Sequence, residues 1–169
     1  CVILEPEKED EPKDNFLHEL QKLCKENGTV FILDEMITGF RWHNGGAQRV
    51  YNVIPDLTSF GKAIGNGFSV AALVGKREIM QLGGLKHDRE RVFLLSLTHG
   101  AETHGLAAAL ETMKIYEKEP VIETLWHRGE QLAKKIKKSI DENKLTEYIP
   151  ILGKPCCMVY GSKDLEKKP

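Results

Sequence analysis

Three short segments of this sequence carry side chains that could do chemistry together: Asp34-Glu35, Lys62 and Thr98-His99-Gly100. Asp34-Glu35 ends an apolar run, Val30-Phe31-Ile32-Leu33. Lys62 follows directly on Leu57–Phe60, inside Ser59-Phe60-Gly61-Lys62-Ala63-Ile64-Gly65-Asn66-Gly67, and Thr98-His99-Gly100 precedes an alanine-rich stretch. A lysine amine attacks a carbonyl only when neutral, and a partly desolvated cleft favours that form. A carboxylate opposite a ring nitrogen keeps the nitrogen protonated, which turns the ring into an electron sink. Hydroxyls and backbone N–H groups at a helix start form a ready phosphate site. Glycines beside the lysine let the backbone approach a ligand closely. The set suits a phosphorylated, electron-withdrawing aldehyde cofactor.

Other chemistries fit less well. A Walker A loop ending at Lys62 would need glycine at 56 and Ser or Thr at 63, where Asp56 and Ala63 stand. A dinucleotide fingerprint at Gly65-Asn66-Gly67 would need a glycine at 70, where Val70 stands. His99, Glu102 and His104 lack the H-E-x-x-H spacing, and polar groups at a helix start are more often caps than metal ligands. Spacing alone leaves two plain readings open: Asp34 as a cap or ion-pair partner, and Lys62 as an ordinary surface lysine.

The elements that must position these groups read as α/β. Val2–Leu4 is a short strand, and Phe16, Leu17, Leu20, Leu23 and Cys24 recur at helical spacing. Asp14 is the expected N-cap and Gly28 the expected C-cap. With the strand at Val30–Leu33 this makes a βαβ unit, hence a parallel sheet whose strand carboxyl ends gather ligands. Leu57–Phe60 and Ala71–Val74 are further strands, and residues 83–92 a surface loop. Two helices follow, at about 101–118 and 121–143, the first expected to be well buried. In the second, Leu125, Leu132, Ile136 and Ile140 share a face, with lysines elsewhere as a solvated surface. The acidic stretch from Glu7 to Asp14 is expected to be a solvated loop, and Pro150–Tyr160 to hold short strands of a different subdomain.

Composition narrows the partners. The 169 residues are 41% hydrophobic and 29% charged, with a net charge of −1, which points to neither nucleic acid nor an anionic membrane. No apolar run approaches the roughly 20 residues that span a bilayer. The four cysteines show no C-x-x-C pair, so the expectation is a reduced, cytoplasmic setting. The chain opens on Cys1-Val2-Ile3-Leu4, inside an apolar run, and stops at Lys167-Lys168-Pro169, so both ends are expected to cut through a longer fold.

Four blocks in order carry a resemblance: Phe31 to Arg41 (FILDEMITGFR), Gly45 to Gln48 (GGAQ), Pro55 to Lys62 (PDLTSFGK) and Val74 to Met80 (VGKREIM). The sequence resembles the class III (subgroup II) pyridoxal-phosphate aminotransferases, most of all their glutamate-1-semialdehyde 2,1-aminomutase branch, from Val2 to about Tyr116. The resemblance implies a fragment of the fold type I, aspartate-aminotransferase-like architecture, a mostly parallel sheet with flanking helices. Residues 1–118 would be the second part of the large domain, 119–144 a linking helix and 145–169 the start of the small domain. It also implies pyridoxal 5'-phosphate held as a Schiff base on Lys62, Asp34 at the pyridine nitrogen, Met36 stacked on the ring and Thr98 lent to the phosphate across a homodimer interface. The activity implied is amino-group transfer on a small amino or carbonyl substrate, within one molecule (mutase) or between an amine and a keto acid, with an ω-amino acid or sugar substrate as alternative. A further alternative is a truncated, non-catalytic domain. Ser69 and the segment Leu97–His104 depart from the aminomutase pattern.

Overall fold

The computed structural model describes residues 1–90, 100–164 and 166. A four-stranded sheet of order β1-β2-β3-β4 is built from β1 (Val2–Leu4), β2 (Phe31–Asp34), β3 (Leu57–Phe60) and β4 (Ala72–Gly75). β1, β2 and β3 run parallel and β4 returns antiparallel. Between β1 and β2 lies α1 (Phe16–Glu26). Its Leu17 and Cys24 pack with Phe31, Leu33 and Val53 in one buried cluster. Each such large apolar side chain contributes about 1.5–3 kcal/mol when removed from water. The helical spacing in α1 therefore reports a face laid on the sheet.

A short α2 (Ala47–Val50) leads into β3, and α3 (Arg77–Met80) follows β4. At the far end of the sheet, Asp56 Oδ2 accepts the Phe31 N–H at 2.7 Å and Oδ1 pairs with Lys76 Nζ at 2.6 Å. Burial opposes ionisation of Asp56, but the Lys76 ammonium and the Phe31 N–H hold its carboxyl below the usual range. This clip joins β2, β3 and the residue after β4 by polar contacts rather than by apolar packing.

The long helices are α4 (Thr103–Lys118) and α5 (Val121–Glu142). The expectation of a well-buried α4 is corrected here. Only Gly105, Ala109 and Thr112 of α4 are buried, while Leu106 and Leu110 are 47% and 57% exposed. The small residues bring the helix close to one neighbour, the second apolar cluster of Phe40, Ile64 and Ala109. On α5 Ile140 is buried, but Leu132 of the same expected face is half exposed. Gly129 is where the Pro155–Cys157 turn reaches α5, since a Cβ there would overlap the Pro155 carbonyl. The last strands, β5 (Ile151–Leu152) and β6 (Val159–Tyr160), form a separate antiparallel pair. In the adjoining turn, burial and the neighbouring Cys157 push the Cys156 thiol up to about 12, which keeps it protonated and unreactive.

Two local expectations fail. Asp14 is not the cap of α1: both Asp14 and Asn15 are left-handed, and the Asn15 carbonyl accepts the first helical N–H groups. Gly28, also left-handed, does follow the helix end, one residue past the C-cap Asn27. The other failure is larger. Glu7, placed by its acidic neighbours in a solvated loop, is buried. Its Oε2 accepts the Trp42 indole N–H at 2.8 Å and the Tyr51 hydroxyl. Its Oε1 faces Lys154 Nζ at 3.7 Å, and Lys154 also pairs with Glu11.

Partners 35 to 147 residues away along the chain thus turn a polar segment into a buried junction. Burial and Glu7 together raise the Tyr51 hydroxyl well above its ordinary range. Burial works to lower Lys154, but its hydrogen bond to Glu11 and the charges of Glu7 and Glu11 raise it overall. Both shifts are upward, so what they contribute to stability is complete below the ordinary Tyr and Lys range and is lost as pH rises beyond it. Glu7→Ala strands the buried Trp42 N–H and the half-buried Tyr51 hydroxyl and leaves Lys154 with Glu11 alone, and is expected to cost about 2–4 kcal/mol. Urea unfolding measures this loss. A change under about 0.5 kcal/mol, the size of an ordinary surface substitution, would show the junction to be dispensable.

Candidate active site

Asp34 is the last residue of β2 and Ser59 its register partner on β3, so both strands deliver polar side chains at their carboxyl ends. Asp34 Oδ1 accepts the Ser59 hydroxyl and the Met36 N–H, each at 3.0 Å. Its Oδ2 takes no hydrogen bond among the described residues, and the side chain is half-buried. The carboxylate is therefore oriented on one oxygen and available to a cation on the other.

The adjacent Glu35 is spent elsewhere. Successive strand residues point to opposite faces, and the Glu35 side chain is fully buried. Its carboxylate accepts the Ala47 and Gln48 N–H groups, both at 2.7 Å, and the Thr38 hydroxyl. Of the Asp-Glu pair, only Asp34 can serve a ligand. The two carboxylates are adjacent in sequence, and burial separates them.

Lys62 opens a single 3-10 turn, Lys62–Ile64, three residues beyond Ser59. Gly61 before it is extended, and Lys62 itself has φ +47°, in the left-handed region that a residue with a Cβ adopts at a cost. A strained backbone at a chemically competent residue is an observation from which function can be argued. The turn is held from behind by Ile64, packed with Phe40 and Ala109, while Lys62 is exposed. The partly desolvated cleft expected around the lysine is not formed by the described residues.

Met36 joins these groups. A Cβ at Gly61 would overlap the Met36 sulfur and terminal methyl, so the thioether lies against the backbone that carries Lys62. Phe40 closes the floor, edge-on to Phe60 at 6.0 Å and to Tyr116 at 5.6 Å. Asp34, Met36, Ser59, Gly61 and Lys62 thus cluster at one end of the sheet. Thr98 and His99 lie outside the described residues. Further along, His104 Nε2 pairs with Glu102 Oε2 at 3.3 Å and stands beside the Phe68 ring.

Sequence reasoning missed Ser59 and Glu35. The available signal for Ser59 was a hydroxyl one residue before the end of a strand and three before Lys62. For Glu35 there was none, because its partners Ala47 and Gln48 donate backbone N–H groups that any residue possesses. The cluster fits a ring-shaped cationic cofactor bound through an aldehyde: a free carboxylate oxygen for the ring nitrogen, a thioether for one face, and an accessible amine.

The comparisons give the family. The family described as Aminotransferase class-III matches residues 3–164. A glutamate-1-semialdehyde 2,1-aminomutase of Geotalea daltonii is 34% identical over 97% of this chain and 38% of its own length. A 3-aminobutyryl-CoA aminotransferase of Cloacimonas acidaminovorans is 36% identical over 78% of this chain and 30% of its own. Among solved structures, an omega-transaminase of Sphaerobacter thermophilus superposes with a TM-score of 0.76 at 27% identity, covering 96% of this chain and 37% of that one. The chain spans no more than two fifths of these relatives' length.

Proposed function

This chain belongs to the class-III aminotransferase family, and from that premise we propose that it supplies Lys62, Asp34 and Met36 to a pyridoxal 5'-phosphate site for amino-group transfer. The observation that carries the reading is the placing of Asp34 at a strand end with one oxygen held by Ser59 and Met36 and the other open, one short turn from Lys62. When bound, pyridoxal phosphate supplies an electron-withdrawing ring that accepts the electron pair left by a departing proton.

The protein's part follows from its own groups. Lys62 Nζ would hold the cofactor covalently at rest and, once freed by a substrate amine, would serve as the base that takes the proton from the carbon bearing that nitrogen and as the acid that delivers it on the far side of the nitrogen. Asp34 Oδ2 would keep the ring nitrogen protonated, and Met36 would lie against one ring face. By resemblance, Thr98 of a second subunit would anchor the phosphate in a homodimeric parent, and the proposed setting is the cytoplasm, with small amino or carbonyl substrates. Residues 1–118 belong to the large domain in this reading, 119–144 link, and 145–169 open the small one.

Borohydride reduction of the full-length parent, followed by peptide mass mapping, is expected to place the added pyridoxyl mass on the peptide containing Lys62. Mass on another lysine rejects the assignment. The finer reading is mutase-like, supported by the Geotalea relative. A transaminase acting on an ω-amino or β-amino substrate is the second reading, supported by the 3-aminobutyryl-CoA aminotransferase and the omega-transaminase. Turnover of glutamate-1-semialdehyde without a second substrate favours the first, and dependence on an added keto acid the second. The chain by itself holds only part of the cofactor cup, so weak binding and little turnover are expected of it.

A further inference from the structure

We infer that Glu35 is a positioning residue for the ring-nitrogen contact, acting through Asp34 and Met36 on either side of it. The inference rests on the function proposed above. Glu35 has no exposed surface and no ammonium or guanidinium among the described residues pairs with it. Its charge is held by three neutral donors instead: the Ala47 and Gln48 N–H groups at the start of α2 and the Thr38 hydroxyl. Burying an ion is costly, and neutral donors offset that cost only when they are fixed in place. The segment 35–48 is therefore wound tightly about one carboxylate. Gly46, at φ +80°, passes so close that a Cβ would overlap the carboxyl group.

The main chain of Glu35 is held as firmly as its side chain. Its N–H donates to the Ser59 carbonyl at 2.9 Å, and its own carbonyl accepts the Gly39 N–H at 2.9 Å. Asp34 and Met36 branch from the two ends of this pinned residue, so any turn of Glu35 moves both. Because the Met36 N–H is one of the two donors orienting Asp34 Oδ1, the two movements are coupled. The same arrangement leaves Asp34 as the carboxylate of the pair that faces the site with unspent charge.

The test compares, in the full-length parent, the Kd for pyridoxal phosphate with the Kd for an analogue carrying carbon in place of the ring nitrogen. The unaltered parent is expected to prefer the true cofactor, since only that ring meets Asp34. Glu35→Gln removes the charge and sets an amide N–H₂ against one of the two α2 donors, which reach different oxygens, and is expected to reduce the preference about tenfold while the analogue's Kd changes less than about threefold. Thr38→Val removes a single donor at nearly constant volume, and its expected loss of preference is about threefold. It carries the test should Glu35→Gln fail to fold. An unchanged preference in the folded variants, or an equal fall in affinity for both ligands, overturns the inference, because a residue with only a structural role weakens both alike. A parent with no preference at all overturns the role given to Asp34, and this inference with it. A preference that survives in the variants overturns the inference about Glu35 alone.

Discussion

Lys62→Ala in the full-length parent is expected to abolish covalent cofactor attachment and to lower turnover by about a thousandfold or more. Two roles disappear with one amine, the anchoring nucleophile and the group that moves the proton, and a positioned acid–base group alone is worth about 10²–10⁴ in rate. The visible absorption of the purified protein and single-turnover kinetics read the two losses separately. Full colour in the variant, stable to dialysis, would sink the assignment of Lys62.

The backbone adds a control for the same residue. Lys62 sits at φ +47°, which glycine adopts freely and alanine does not. Lys62→Gly is therefore expected to be as inactive as Lys62→Ala but more stable by about 1 kcal/mol, measured by denaturant unfolding. That ordering separates loss of the amine from loss of the fold. It would also mean that the native lysine is kept at a cost in stability.

The second large effect belongs to Asp34. Asp34→Asn keeps an oxygen that can accept from the Ser59 hydroxyl and the Met36 N–H, so the local geometry is retained. What it removes is the negative charge proposed to face the ring nitrogen. Losing a preorganised charge contact of this kind costs about 10²–10³ in rate. The expected outcome is a coloured, folded parent protein that still attaches the cofactor at Lys62 and transfers amino groups a hundredfold or more slowly. Unchanged kcat in Asp34→Asn would show that another group holds the nitrogen. Asp34→Ala, which also frees the Ser59 hydroxyl and the Met36 N–H, is expected to lose cofactor affinity as well.

Much of the framework was legible from periodicity. The apolar run at Val30–Leu33 and the helical spacing from Phe16 to Cys24 appear as β2 and α1 with boundaries shifted by a residue. Leu57–Phe60 appears unshifted as β3. Such runs carry their own signal because each element buries one face against the sheet, and that face repeats along the sequence. Less was legible in α4, whose alanines suggested a buried helix. They reflect a close approach to one neighbour, around Gly105 and Ala109, with Leu106 and Leu110 left outside.

The sequence by itself determined the chemical cast, an acid at one strand end, a lysine after the next strand, and a methionine two residues from the acid. It also determined the strands and the helix that bring them near one another, since local apolar patterns set those. Only the tertiary structure decided that Glu35 is fully buried while Asp34 keeps one oxygen open, and that an acidic stretch holds a buried junction at Glu7. The reason is the same in both cases. The fate of a carboxylate depends on the donors that reach it, and for Glu35 and Glu7 all of those but the nearby Thr38 hydroxyl come from residues 12 to 147 positions away. No local pattern records such partners, so a composition that reads as solvated surface can be interior once the chain has folded.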